Sequence, residues 1–284
     1  MIHNDVLGEL KDSAAGVVSL AELLGSRRVG PKVVAAALPA AQEACGGVAT
    51  AVEAVAKDVL SVLPSGSSAI AEVTALFERA ASSVRALGVE AAAAASSAGE
   101  AKTRLVLERA ASLASANVTC ALFVAELFAQ ASEPRVVSIR VADVLGFGPM
   151  IAEGPSVVRA TLDAPPAPVA TTDARLLRSL VELCVLIVAS AGVSSPHVQV
   201  TGSEGSGARV RIAAAPTPPP PSAAPISTSF ARRGRTPAPA VVTLAVRRLP
   251  LTDGAFELAR AAAKLSAADV SMDATRRGVT LAFA

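Results

Sequence analysis

The chain offers few side chains suited to chemistry. It has two histidines, His3 and His197, and three cysteines, Cys45, Cys120 and Cys184. None has a second histidine, cysteine or carboxylate at metal-ligand spacing. The sequence also lacks a Walker phosphate loop, a G-x-S-x-G nucleophile turn and a dinucleotide fingerprint. Each cysteine lies in an apolar helical pattern, so we expect buried, unreactive thiols.

One stretch has the outline of a phosphate-chemistry motif without its ligands. Residues 173–189 read DARLLRSLVELCVLIVA. This resembles the helix with the asparagine-rich box of sensor histidine kinases, D-x-x-R-L-x-Q-V-L-x-N-L-L-x-N-A-I-K. Without a gap, the two asparagine positions fall on Glu182 and Leu186. The resemblance implies that the second asparagine holds the magnesium of Mg-ATP, and leucine has no lone pair for a hard cation.

The resemblance extends over residues 135–284. The closing segment keeps Leu258 and Arg260 of the family's last helix, and Gly278 and Thr280 of its final hairpin. The stretch ARVRIAAAPTPPPP has neither the aspartate that recognises adenine nor the lid glycines. Its prolines also lack the N–H groups that would cradle phosphate. The resemblance therefore implies a degenerate, GHKL-like ATP-binding fold, for which we expect no cofactor and no metal.

The first helix carries a second similarity. The sequence GELKDSAAGVVSLAELL resembles the phosphoacceptor helix of the same kinases, H-E-L-R-T-P-L-N-A-I-L-G-F-A-E-L-L, with Gly8 in place of the histidine. Any amphipathic helix rich in alanine and leucine gives a comparable match. In the family this helix belongs to a dimerisation and phosphotransfer hairpin and docks the response regulator. The docking residues implied here are Glu9, Lys11, Asp12 and Ala15.

Apolar periodicity predicts four helices in the first part of the chain. Residues 2–24 and 31–63 form the first two, and two heptad-spaced helices follow. Gly46-Gly47 is expected to kink or weaken the second helix. Asn117 lies on the seam of the fourth, where it either sets the register or turns to solvent. Short turns between the helices predict an antiparallel bundle over residues 1–132. The kinase hairpin has two helices, so an extra hairpin or an internal duplication is implied.

Strands and helices alternate in the rest of the chain. Short alternating runs on both sides of the 173–189 helix predict strands, with His197 in a turn after a proline. Residues 216–239 are rich in Pro, Ala, Ser and Arg, and we interpret them as a flexible insert, since they bury too little apolar surface to fold. Two helices on one face of a mostly antiparallel sheet predict an α/β sandwich over residues 135–284. The expected fold class is α+β.

Composition sets the remaining expectations. The chain has 284 residues, a net charge of +2 and a hydrophobic content of 52%, much of it alanine, which favours thin helical cores. No uninterrupted apolar run reaches the roughly 18–20 residues of a membrane span. The segment MIHNDVLGEL lacks a basic region typical of a signal peptide, so a cytoplasmic location is expected. The 21 arginines against 5 lysines indicate a GC-rich bacterial genome.

Partner predictions follow from charge and from the resemblance. The low net charge argues against bulk nucleic acid. The basic cluster Arg232, Arg233 and Arg235, with Arg247 and Arg248, could contact nucleic acid or an acidic protein. We interpret it as a solvated linker, since no aromatic residues accompany it.

The leading functional hypothesis is a non-catalytic scaffold or regulator (a pseudokinase) in two-component signalling. It would bind a response regulator or sensor kinase through the bundle and form a homodimer. One alternative is a phosphotransfer protein with His3 as the acceptor. Another is a structural, coiled-coil-like bundle that oligomerises.

Overall fold

The computed structural model describes residues 2–26, 30–94, 101–146, 157–202, 207–215 and 242–283. The insert expected at residues 216–239, with its arginine cluster, lies outside these ranges. The elements, in chain order, are α1 (Asn4–Gly25), α2 (Pro31–Val62), α3 (Ala69–Ala94), α4 (Ala101–Ser132), β1 (Val137–Arg140), α5 (Val141–Gly146), β2 (Val157–Asp163), β3 (Val169–Thr172), α6 (Ala174–Ser190), β4 (Pro196–Gly202), β5 (Ala208–Ala214), β6 (Val242–Arg247), α7 (Ala255–Leu265), β7 (Asp269–Met272) and β8 (Val279–Phe283).

The first four helices form the predicted bundle, and they close it within one chain. Helix α1 packs against both α2 and α4, and α3 packs against the same two helices from the other side. The seam is made of small apolar side chains that are fully buried, among them Val52, Val55 and Val84. Such thin side chains allow the helices to approach closely, as the alanine-rich composition predicted.

Two details of the bundle bear on the predictions made for Gly46-Gly47 and for Asn117. Helix α2 continues through Gly46-Gly47, so the glycine pair does not end it. Its neighbours Cys45 and Val48 are both buried, which supports the helix across the glycines. The kink or weakening expected there stays a prediction. Asn117 turns inward, is 4% exposed, and its side-chain nitrogen has no hydrogen-bond partner among the described residues.

The described strands form two sheets. Strands β1 and β3 make an antiparallel ribbon, and the other six follow the order β6-β2-β4-β5-β8-β7. Within the described part of this larger sheet, β2 and β4 are the parallel pair, and the remaining neighbours are antiparallel. Thr161 on β2 lies opposite His197 on β4. His197 is therefore on a strand, and its predicted place in a turn is wrong.

The sheet alternates between a buried and an open face, as period-two patterning requires. Helices α6 and α7 cover the buried face and also contact α3 or α4 of the bundle. One hydrophobic cluster consequently runs from the bundle into the sheet. The α+β class, with helices first and a mixed sheet after them, agrees with the prediction. The division into domains at residues 132–135 stays a prediction.

Helix α4 is apolar in average composition, although polar residues interrupt its apolar runs. Its segment Lys102–Ser132 is long and apolar enough to cross a membrane by length and composition, and 61% of its most apolar window is buried inside the protein. A core helix of a soluble protein has the same composition, and α4 packs on α1, α3, α6 and α7. The cytoplasmic location stays a prediction.

Candidate functional site

Asp173 caps the helix that resembles the asparagine box. Its Oδ1 accepts hydrogen bonds from the backbone N–H groups of Arg175 at 2.8 Å and Leu176 at 3.4 Å. Its Oδ2 accepts from the backbone N–H of Arg135 at 2.9 Å. Burial would raise the pKa of Asp173, but these donors and the Arg175 guanidinium outweigh it and hold the pKa below its ordinary value. The carboxylate therefore fixes the start of α6 to the chain that leaves α4.

The two positions implied for the asparagines have no metal-binding geometry. The Glu182 carboxylate accepts from Nε of Arg178, one turn earlier, at 2.8 Å. Leu186 is 5% exposed and belongs to the hydrophobic cluster. Glu182 is paired with an arginine and the buried leucine has no lone pair, so the two positions do not supply the set of oxygen ligands that Mg²⁺ requires.

The start of α7 is hydrogen-bonded to the bundle and so forms a joint between the sheet region and the bundle. Thr252 donates its hydroxyl to a carboxylate oxygen of Glu72 on α3 at 2.5 Å. Ser68, just before α3, donates to Glu257 on α7. The same Glu72 side chain lies so close to Gly254 that a Cβ there would overlap it. The absence of a Cβ at Gly254 therefore allows the Glu72 side chain of α3 to approach.

Helix α1 presents the residues implied for docking. Glu9, Asp12 and Ala15 are exposed. Lys11 points to α4, where its ammonium group pairs with Glu126 at 2.7 Å. Gly8 is half-buried, and no neighbouring atom lies within 4 Å of the position where a Cβ would stand. The structure therefore brings three of the four predicted docking residues to an open face, and ties the fourth to the neighbouring helix.

His3 has a partner that the sequence did not reveal. Its Nδ1 lies 2.9 Å from Oδ2 of Asp58 near the end of α2, and its backbone N–H donates to the same oxygen at 3.0 Å. Burial would raise the pKa of Asp58, but the hydrogen bonds from His3 and the positive charge nearby outweigh it and lower the pKa. Since the carboxylate is ionised, Nδ1 is the donor, and in the neutral ring the lone pair is then on Nε2. The His3 side chain is 67% exposed.

The other histidine and the cysteines have structural surroundings. His197 is half-buried, and its Nδ1 lies 2.8 Å from the hydroxyl of Thr161 across the parallel strand pair. All three cysteines are buried and free, as predicted. Burial raises the pKa of all three thiols, that of Cys120 to about 12. Among the described residues, no group of three or more His, Cys, Asp or Glu side chains is arranged to hold a metal ion.

Asp58, Glu72 and Glu126 are the contact residues that sequence reasoning missed. Each pairs with a residue more than 50 positions away, so no local motif marks it. Hairpin geometry could have indicated the contact of His3, because the start of α1 must lie beside the end of α2 in an antiparallel pair. That rule places His3 near residue 58 without any structure.

No protein family, no curated protein and no solved structure matches this chain.

Proposed function

We propose that the chain is a non-catalytic, histidine-kinase-like scaffold or regulator that binds a response regulator or a sensor kinase through its helical bundle. The observation that carries the proposal is the burial of Leu186, at the position implied for the magnesium-binding asparagine. A leucine side chain has no lone pair for Mg²⁺, and its burial in the hydrophobic cluster leaves no room for a metal ion at this position.

The order of elements supports the kinase-like part of the proposal. A helical bundle precedes a mixed sheet with two helices on one face, which is the architecture implied by the resemblance. The α6 helix follows the 164–168 proline turn, and the chain closes with α7 and the β7–β8 hairpin, in the places where the family has its asparagine box and closing unit. The joints at Glu72 and Glu257 hold this region against the bundle.

The exposed face of α1 supports docking. We define the α1 acidic face as Asp5, Glu9 and Asp12, which follow at steps of four and three residues on one side of the helix. All three are exposed, and none has an ion-pair partner among the described residues. An open helix face of uniform charge is suited to a partner with basic groups, and such contact needs no catalysis.

The test is binding of purified receiver domains from the source organism, measured by biolayer interferometry. We expect at least one domain to bind the native chain. Glu9→Arg/Asp12→Arg should weaken this binding about tenfold through charge repulsion. The control Glu43→Arg/Glu90→Arg changes the same charge elsewhere on the bundle and should have little effect. Absence of binding by every receiver domain, or an equal loss in both variants, would count against the proposal.

A second candidate function is phosphotransfer by His3, favoured by the contact with Asp58. The open Nε2 would attack the phosphorus of an aspartyl phosphate on the partner. The P–O bond to the aspartate breaks, and the carboxylate leaves with its electron pair. The Asp58 carboxylate would then stabilise the positive imidazole through Nδ1–H.

Incubation with a phosphorylated receiver domain tests this step by the acid-labile phosphate that the chain takes up. We expect His3→Ala to abolish uptake and Asp58→Asn to reduce its rate about tenfold. The control His197→Ala should keep the native rate. Phosphate retained by His3→Ala, or no uptake by the native chain, excludes this function.

A further inference from the structure

The open face of the six-stranded sheet has a basic centre. The outward side chains of β4, β5 and β8 alternate with buried ones, and the described ones include no carboxylate. They are His197, Gln199, Thr201, Arg209, Arg211, Ala213, Thr280 and Ala282. Outward carboxylates stand further out on the same face, Asp163 on β2 beside Gln199 and Asp269 on β7 beside Ala282. Each is two strands from β5, so the side chains directly beside the two arginines are uncharged.

Arg209 and Arg211 form a pair of free guanidinium groups, which we name the β5 arginine pair. Both are exposed, and neither has an ion-pair partner among the described residues. Cross-strand pairing places Arg211 between Gln199 and Thr280, and Arg209 next to Thr201. Alternate residues on a strand lie about 7 Å apart. The pair therefore presents two bidentate carboxylate-binding groups at a fixed spacing.

The α1 acidic face has the complementary charge at a matching spacing. Asp5 and Glu9 are one helical turn apart, which separates them by about 6 Å along the axis. The one basic residue within α1, Lys11, is held by Glu126 and does not neutralise this face. The two halves of the chain have the same signs of net charge as these two surfaces. Residues 1–134, which include the α1 acidic face, hold 10 Lys and Arg against 14 Asp and Glu. Residues 135–284, which include the β5 arginine pair, hold 16 against 10.

The two surfaces cannot meet within one molecule. Helices α6 and α7 lie between the sheet and the bundle, so the open face of the sheet points away from α1. Contact between them requires a second copy of the chain.

We propose that a second copy docks its α1 acidic face on the β5 arginine pair of the first. The interface is heterologous, since a different surface is used on each copy. Such a contact leaves one free acidic face and one free arginine pair, so it continues into a ring or an open chain of copies. The attraction is between exposed charges and weakens as salt is added.

This assembly has a consequence for regulation that rests on the proposed function. The α1 acidic face is also the surface proposed to dock the signalling partner. A copy whose α1 is covered by the next molecule cannot bind that partner, so self-association and partner binding exclude each other. Self-association itself is measured without any partner, and its failure would leave the docking proposal untouched.

Sedimentation velocity of the full chain over a series of rising protein concentrations tests the interface. At low salt we expect a mass that rises with concentration above the 28.3 kDa of one chain, and a single copy at high salt. Glu9→Arg/Asp12→Arg alone and Arg209→Glu/Arg211→Glu alone should each remain single copies. An equimolar mixture of the two variants restores complementary charges at every contact and should associate again.

The control Arg276→Glu/Arg277→Glu makes the same charge change on the β7–β8 turn and should associate like the native chain. The four positions changed on α1 and β5 are exposed, and circular dichroism verifies that each variant is folded. A native chain that stays a single copy at low salt overturns the proposal. So does association that survives in either double variant, or a mixture that fails to associate.

Discussion

Helices α1 and α6 both resemble a segment of a histidine kinase, and the fold treats them in opposite ways. Helix α6 buries ten of its 17 residues because it lies between the sheet and the bundle. Helix α1 buries one stripe and leaves its charged side in solvent. The position that the resemblance implies for the metal-binding asparagine lies in the core of α6, whereas α1 keeps an exposed charged face and has Gly8 at the position implied for the histidine. The two helices therefore offer a buried and an open version of the same proposed likeness.

Placing an asparagine at position 186 should have the largest effect. Leu186→Asn removes apolar contacts and buries an amide in the cluster, which should lower the free energy of unfolding by about 3 kcal/mol. The matched change on the open side of α1, Ala15→Asn, should cost less than about 1 kcal/mol. Urea unfolding followed by circular dichroism measures both. A Leu186→Asn variant of native stability would show that α6 is not the buried helix described above.

The helix cap at Asp173 should have the next largest effect. Asp173→Ala removes a side chain that accepts three backbone N–H groups, and should lower the free energy of unfolding by about 2 kcal/mol at pH 7. The exposed Asp12→Ala on α1 should change it by less than about 0.5 kcal/mol.

The pH dependence of the Asp173→Ala difference is a second readout. The folded-state pKa of Asp173 is lowered, so its contribution is complete above the unfolded-state pKa of about 3.9 and is lost as the pH falls through the folded value. The difference between native chain and variant should therefore shrink below about pH 4. A difference that stays constant from pH 7 to pH 3 would mean that the charged carboxylate is not responsible.

Replacing two glycines by alanine should have the smallest effects on stability, and these effects should have opposite signs. Gly254→Ala forces the Glu72 side chain away and breaks the hydrogen bond that Glu72 accepts from Thr252. This substitution should lower the free energy of unfolding by about 1 kcal/mol. Gly8→Ala meets no neighbour within 4 Å and should stabilise α1 by about 0.5–1 kcal/mol. Thermal unfolding of the two variants measures the opposite signs. Equal shifts for both would argue against a close joint at Gly254.

The sequence was sufficient for the local features of the fold. Turn residues such as Pro64 to Gly66 separate the helices, and apolar periodicity places α1 to α4 and the strands of the sheet. The prediction for His197 failed because the Ser-Ser-Pro before it is a turn signal, while the parallel pairing with β2 decides its conformation. The pair Gly46-Gly47 leaves α2 continuous, because the continuity of a helix depends on packing as well as on local propensity.

Of the candidate site, the exposure of Glu9 and Asp12 and the core position of Leu186 follow from helical periodicity. The contacts of His3 with Asp58 and of Glu72 with Thr252 depend on how distant helices meet. The charge of the open sheet face also depends on strand register, because Arg209 and Arg211 come together with Gln199 and Thr280 only through pairing. None of these contacts leaves a pattern in a single sequence.

The most direct test of the non-catalytic proposal is calorimetry with the intact chain, titrated with Mg-ATP and then with Mg-ADP. With Leu186 in the core and Glu182 paired with Arg178, no saturable heat is predicted up to millimolar nucleotide. Saturable binding of either nucleotide would contradict the proposal.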